Sequence, residues 1–162
     1  MALLLLGCGS AGKGELAALK AQADQVKSNK EVVHTFLGLF MSGDWDDFDQ
    51  VIAADCVLHE PGGVDIVGLE AMKALWAEAY APLTNIAAET HAEVSEGEFL
   101  TDMLTMQATY EGEYVGRQVS GVPVTFNQAE TMRIVDGKIV EWWVVFDRLW
   151  LSEQLGFELQ PK

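Results

Sequence analysis

Basic residues are scarce in this chain: 10 lysines and arginines stand against 25 aspartates and glutamates, a formal charge of −15 over 162 residues. So acidic a surface repels phosphate backbones and anionic headgroups, and no basic stripe offers a local exception. Nucleic acid is therefore not an expected partner. Cysteine is scarcer still, with only Cys8 and Cys56, and the three histidines (His34, His59, His91) are dispersed. No Cys/His cluster has metal-ligand spacing, so no metal site is expected. Cys56, within Cys-Val-Leu, reads as a small core residue of a strand. No apolar run approaches the ~20 residues of a membrane-spanning helix. There is no glycine-rich phosphate loop, no internal repeat and no low-complexity tract. What remains is a chain that is 49% apolar and of single-domain length, long enough to bury a proper core.

The pattern divides in two. From Ser28, Val33, Phe36, Leu37 and Phe40 fall at helical spacing, and Ser28 with Glu31 fits a capping box. Ser42-Gly43 closes that helix. A second short helix is expected over 44–54, a strand over 56–59 stopped by Glu60-Pro61-Gly62-Gly63, and a third helix over 69–80 closed by Pro82. Strands are then expected over 86–95, 99–110, 122–135 and 139–146, separated by glycine-bearing turns. About three helices followed by a four-stranded antiparallel meander is an α+β pattern, with the helices gathered on one sheet face.

The N-terminus carries its own signal. Leu5-Leu6-Gly7-Cys8 is similar to a bacterial lipobox, in which an apolar stretch and small residues precede a thiol that receives a diacylglycerol. On that likeness, residues 1–7 are a signal remnant, Cys8 is the lipidation site and 8–27 form a tether. The domain proper then spans 28–157, with a tail at 158–162. The apolar run is shorter than the usual ~7–15 residues and no Lys or Arg precedes it. The expected location is extracytoplasmic, lipid-anchored to a bacterial membrane; the alternative is cytoplasmic.

The most informative stretch is DGKIVEWWVVFDRL, residues 136–149. Asp136-Gly137 is a tight hairpin turn signal. In the strand that follows, Glu141, Trp143, Val145 and Asp147 share one face, and Trp142, Val144 and Phe146 the other. Asp147 then has two readings: an acid/base group at the end of an apolar face, or the N-cap of a short helix over 148–154. Glu141 shares its face but lies about 20 Å away along the strand, too far for the two to act as a dyad on one small substrate. Glu130 and Gln128 are left open, because their facing depends on strand register.

This ending resembles that of the SnoaL-like polyketide cyclases, the ester cyclase branch of the nuclear-transport-factor-2-like superfamily. The matching residues are Asp136, Gly137, Lys138, Ile139, Glu141, Trp143, Asp147 and Gln154-Leu155-Gly156. The resemblance implies a cone-shaped curved sheet packed on N-terminal helices around an apolar pocket. It also implies cofactor-free acid/base chemistry of cyclase, isomerase or hydrolase type on an apolar carbonyl or ester compound, and a homodimer. It maps the catalytic aspartate onto Asp147, through Trp-x-x-x-Asp, and a pocket histidine onto His59, through Leu58-His59-Glu60-Pro61. Tyr110 stands where relatives often carry His, Val144 where an acidic residue is common, and Leu37 where a pocket Tyr can occur. Those departures keep a rival in view: a non-catalytic ligand-binding or interaction module of the same fold. The expected pocket lining is Met41, Trp76, Tyr80, Tyr110, Phe126 and Trp143.

Overall fold

A computed structural model describes residues 11–158. Residues 1–7 and Cys8, which carry the signal and lipidation readings, lie outside the described residues, as do 159–162 of the tail. Helix α1 runs unbroken from Ala11–Ser42. The sequence suggests a tether that turns helical near Glu15-Leu-Ala-Ala-Leu and a separate helix from Ser28; the two are one helix, because the Glu-Leu-Ala-Ala-Leu-Lys-Ala-Gln-Ala stretch holds strong helix formers and no proline, so no restart is needed. A 3-10 helix, Trp45–Gln50, follows where a helix to residue 54 was expected. It ends early because Ile52 already pairs with Ile139, which opens strand β1 at Ile52–Glu60. Gly62 and Gly63, at φ +101° and +77°, turn the chain back into a short strand, β2 (Val64–Val67), that the sequence pattern did not reveal.

Helix α2 covers Leu69–Tyr80, as its periodicity predicts. Four long strands follow, β3 (Leu83–Glu96), β4 (Phe99–Tyr114), β5 (Arg117–Val135) and β6 (Lys138–Phe146), then helix α3 (Arg148–Gln154). The six strands form one curved, unclosed sheet in the order β2-β1-β6-β5-β4-β3. The expected antiparallel meander of β3 to β6 is present, and β1 joins it by pairing parallel to β6. The architecture is the α+β cone expected from the sequence.

Five rings weld the helices to the inner sheet face. Phe36 of α1 meets Trp142 of β6 edge-on at 4.9 Å, and Phe48 meets Trp76 of α2 at 5.3 Å. Phe40 contacts both Phe36 and Trp76. Val33, Met72, Met132 and Ile139 are fully buried around them, and each large apolar side chain contributes on the order of 1.5–3 kcal/mol by leaving water. Asp136 and Gly137, at φ +51° and +76°, make the primed turn read from the sequence.

One irregularity in β6 decides what the core faces. Arg133 pairs with Glu141, but its neighbour Ile134 pairs with Ile139, so Val140 is an extra residue. This bulge reverses the inside–outside alternation. Ile139 points inward on one side of it, and Trp142, Val144 and Phe146 point inward on the other.

Candidate active site

Between α1, α2 and the inner sheet face lies a cavity of about 180 Å³, lined by Phe40, Met41, Trp76, Tyr80, Trp142 and Phe146 among others. It opens past Tyr80, Gln128 and Phe146 into a wider cleft of about 670 Å³, bounded by Tyr110, Tyr114, Phe126 and Leu151. A cavity of ~150 Å³ holds a single benzene-sized ring. The inner chamber therefore takes one ring, and the rest of a larger molecule would extend into the cleft. Met41, Trp76 and Tyr80 sit in the chamber wall, and Tyr110 and Phe126 in the cleft wall. The Tyr110 hydroxyl is already committed, donating to the Glu113 carbonyl at 2.9 Å.

One carboxyl group interrupts the apolar chamber. Glu130, on β5, is only 3% exposed and lines the cavity. Its Oε2 accepts a hydrogen bond from the Trp142 indole Nε1 at 3.0 Å and another from the Gln128 amide at 2.9 Å. Directly opposite it on β4 stands Asp102, equally buried. Burial pushes both carboxyls well above the usual range, with the charge of Glu93 adding to the rise at Asp102 and that of Asp102 to the rise at Glu130; the contact between the two favours the proton on Glu130. Two buried acids side by side hold one proton between them at neutral pH. Tyr80 shares this wall; its burial and the nearby Glu130 and Glu60 hold its phenol protonated, and its hydroxyl makes no hydrogen bond among the described residues. At the rim Glu60 pairs with Arg148 at 3.2 Å.

Three residues singled out from the sequence lie elsewhere. Asp147 does not point into the chamber. It is exposed and is the N-cap of α3, its Oδ1 accepting from the Trp150 N–H at 2.9 Å. His59 and Trp143 lie on the outer face of the sheet, their rings stacked at 5.0 Å. His59 is held there by Asp65 at 2.7 Å and Glu141 at 3.2 Å, and Glu141 continues to Arg133. The hydrogen bond to Asp65 raises the His59 pKa, and the one from His59 lowers that of Glu141. For Trp143 and Asp147 the cause is the bulge at Val140; His59 faces out because its β1 neighbours Cys56 and Leu58 take the inner face. With strict alternation from the inward Ile139, the face of Trp143 and Asp147 would also have turned inward.

The sequence left Glu130 open and did not single out Asp102. Each nevertheless breaks an apolar stripe of period two: Leu100, Asp102, Leu104, Met106 on β4, and Phe126, Gln128, Glu130, Met132 on β5. A carboxylate on such a stripe marks an inward acid once the register is known. Among the described residues, no three His, Cys, Asp or Glu side chains gather as a cluster that could hold a metal, and no helix is long and apolar enough to cross a membrane.

The helices and the six-strand curved, unclosed sheet match the nuclear-transport-factor-2-like cone fold. Residues 30–155 match the family of SnoaL-like polyketide cyclases, and the chain belongs to that family. IdmH from Streptomyces antibioticus, a candidate polyketide cyclase, superposes with a TM-score of 0.72 at 25% identity, over 80% of this chain and 99% of that one. AclR from Streptomyces galilaeus, a candidate hydroxylase, gives 0.72 at 24% identity, over 81% and 97%. A SnoaL-like polyketide cyclase from Agrobacterium tumefaciens gives 0.67 at 19% identity, over 79% and 98%. No curated protein matches the sequence significantly. Names as different as cyclase and hydroxylase attach to this one fold, so the reaction has to be argued from the site.

Proposed function

We propose that this protein is an acid/base enzyme of cyclase or isomerase type acting on an apolar carbonyl compound, with Glu130 as the catalytic acid/base in place of Asp147. The observation that carries the reading is the Glu130 carboxyl, buried in an otherwise apolar chamber directly opposite the buried Asp102. A carboxyl in that setting has a pKa lifted toward the range in which it can both take and return a proton. A substrate ring would occupy the chamber with its carbonyl oxygen toward the free Tyr80 hydroxyl. Glu130 would remove a proton from the carbon beside the carbonyl while the proton it holds moves onto Asp102. The resulting enolate would attack a second carbonyl, or be reprotonated elsewhere, and Glu130 would return a proton to the product oxygen or carbon. Trp142 and Gln128, both donating to Glu130, hold it in place and stabilise its charged form.

The two-ring ketone 2-tetralone tests this, through exchange of its α-protons in D2O followed by NMR. The wild type is expected to accelerate exchange. Glu130→Gln is expected to lower it by about 100-fold or more, with binding of 2-tetralone little changed, and Asp147→Asn to leave it intact. Loss with Asp147→Asn and not with Glu130→Gln would restore the aspartate. Binding without any exchange in the wild type would favour the non-catalytic module.

Two further proposals concern partners and place. The outer sheet face carries Met103, Ala129 and Val145 in one cross-strand row, with Met103 55% and Val145 62% exposed, and this supports a homodimer packed through that face. Anchoring at a membrane rests on Leu5-Leu6-Gly7-Cys8 alone; intact mass of the protein from the membrane fraction of its host tests it.

A further inference from the structure

Two acids continue the row that begins at Glu130. Asp102 stands opposite Glu130 across β4 and β5, and Glu93 stands opposite Asp102 across β3 and β4. All three point to the inner face of adjacent strands, where opposed Cβ atoms lie about 4.5–5.5 Å apart. Glu130 lines the chamber, Asp102 is 2% exposed, and the Glu93 side chain is 15% exposed. The row thus runs from the pocket, under the sheet, to the edge of the fold. Its two inner gaps are marked by unsatisfied atoms: Asp102 Oδ1 and Glu93 Oε1 are both buried without a hydrogen-bond partner. Such orphaned oxygens on directly opposed carboxylates are expensive unless a proton lies between them. At the outer end, Glu93 Oε2 meets His34 Nε2 of α1 at 3.0 Å and Lys30 Nζ at 4.0 Å. The His34 side chain is 61% exposed.

We infer that Glu93, Asp102 and Glu130 form a proton relay, through which the catalytic carboxyl exchanges its proton with solvent at His34 while substrate fills the chamber. This inference rests on the reading of Glu130 as the acid/base and adds the route its proton takes. A bound ring plugs the chamber, so the front opening no longer supplies water to Glu130. Each step then moves one proton between neighbouring oxygens. The one proton shared by Glu130 and Asp102 moves onto Asp102, then to Glu93, then to His34 or water, and Glu130, left as the carboxylate, takes the substrate C–H proton. Reprotonation runs the same chain in reverse, and no other reactant is consumed. The charged groups facing the row are His34 and Lys30 from α1; from α2, Tyr80 lies near Glu130. The two α1 cations sit only at its outer end, where a departing proton meets bulk water.

The test is exchange of 2-tetralone α-protons in D2O at saturating ketone, each variant measured on the plateau of its own pH profile. Asp102→Asn is expected to lower exchange by about tenfold or more with unchanged 2-tetralone affinity. Glu93→Gln, at the half-open end, is expected to leave a slow rate that rises with imidazole concentration; the wild-type rate should not depend on imidazole. If Asp102 only tuned its neighbour, its variant would shift the pH profile and keep the plateau. A kept plateau, or a Glu93→Gln rate equal to wild type and independent of imidazole, overturns the relay while leaving Glu130 as the base. A Glu130→Gln variant with wild-type exchange instead overturns the reading beneath it. Should Asp102→Asn fail to fold, the imidazole dependence of Glu93→Gln decides alone.

Discussion

At the scale of single residues, the chamber holds a group that harms stability. Carboxyls of an unfolded chain titrate near pH ~4, whereas burial lifts Asp102 to about 6 and Glu130 to about 8. A raised folded pKa means that the native chain binds more protons than the unfolded one between those limits. The stability these two groups contribute is therefore complete below pH ~4 and is lost as pH climbs through about 6 and about 8. Melting temperatures across pH 5–8 should show this slope, and Glu130→Gln should flatten it while raising the melting temperature at pH 8. A steeper slope in the variant would contradict the assignment. Keeping a destabilising acid is the pattern expected where a site needs it. Asp147 makes the opposite case. Its carboxylate caps α3, so Asp147→Ala should cost about 1 kcal/mol in denaturant unfolding and leave α-proton exchange untouched.

At the scale of elements, β6 shows how one residue redirects a whole site. The turn at Asp136-Gly137 and the apolar run after it were legible because each has a local cause: a positive-φ requirement and a period of two. The bulge at Val140 was not. It arises because β6 satisfies β5 on one side and β1 on the other, and β1 reaches it through a register shift between Ile52 and Val57. Deleting Val140 would restore strict alternation and drive Trp142, Val144 and Phe146 out of the core. That variant should lose near-ultraviolet circular dichroism and cooperative melting, since Trp142 contacts Phe36, Trp76 and Glu130 at once. The helices behave similarly. Helix α2 was readable to the residue, because Leu69, Met72 and Trp76 form one buried stripe. The unbroken run of α1 and the parallel pairing of β1 with β6 were not, since the first needs no punctuation and the second needs a partner 82 residues away (His59 beside Glu141).

At the scale of the whole molecule, the charge of −15 and the outer apolar row act on association in opposite directions. The row formed by Met103, Ala129 and Val145 favours pairing of two copies, so sedimentation at moderate salt should give a dimer that Val145→Glu dissolves into monomers. A wild-type monomer at every concentration would remove the homodimer proposal. The sequence by itself determined the fold class, the family resemblance and most of the apolar wall, namely Met41, Trp76, Tyr80, Tyr110 and Phe126. The fold class follows from hydrophobic periodicity and local turn chemistry, which depend on near neighbours in the chain, and the pocket wall was implied by the family resemblance. Only the tertiary structure decided which acid belongs to the chamber. Asp147 and Glu130 are both acids on or at the end of apolar strands, and strand register separates them: a bulge turns one out to cap a helix and leaves the other buried beside Asp102. Register is a property of paired strands, so no single strand's sequence contains it.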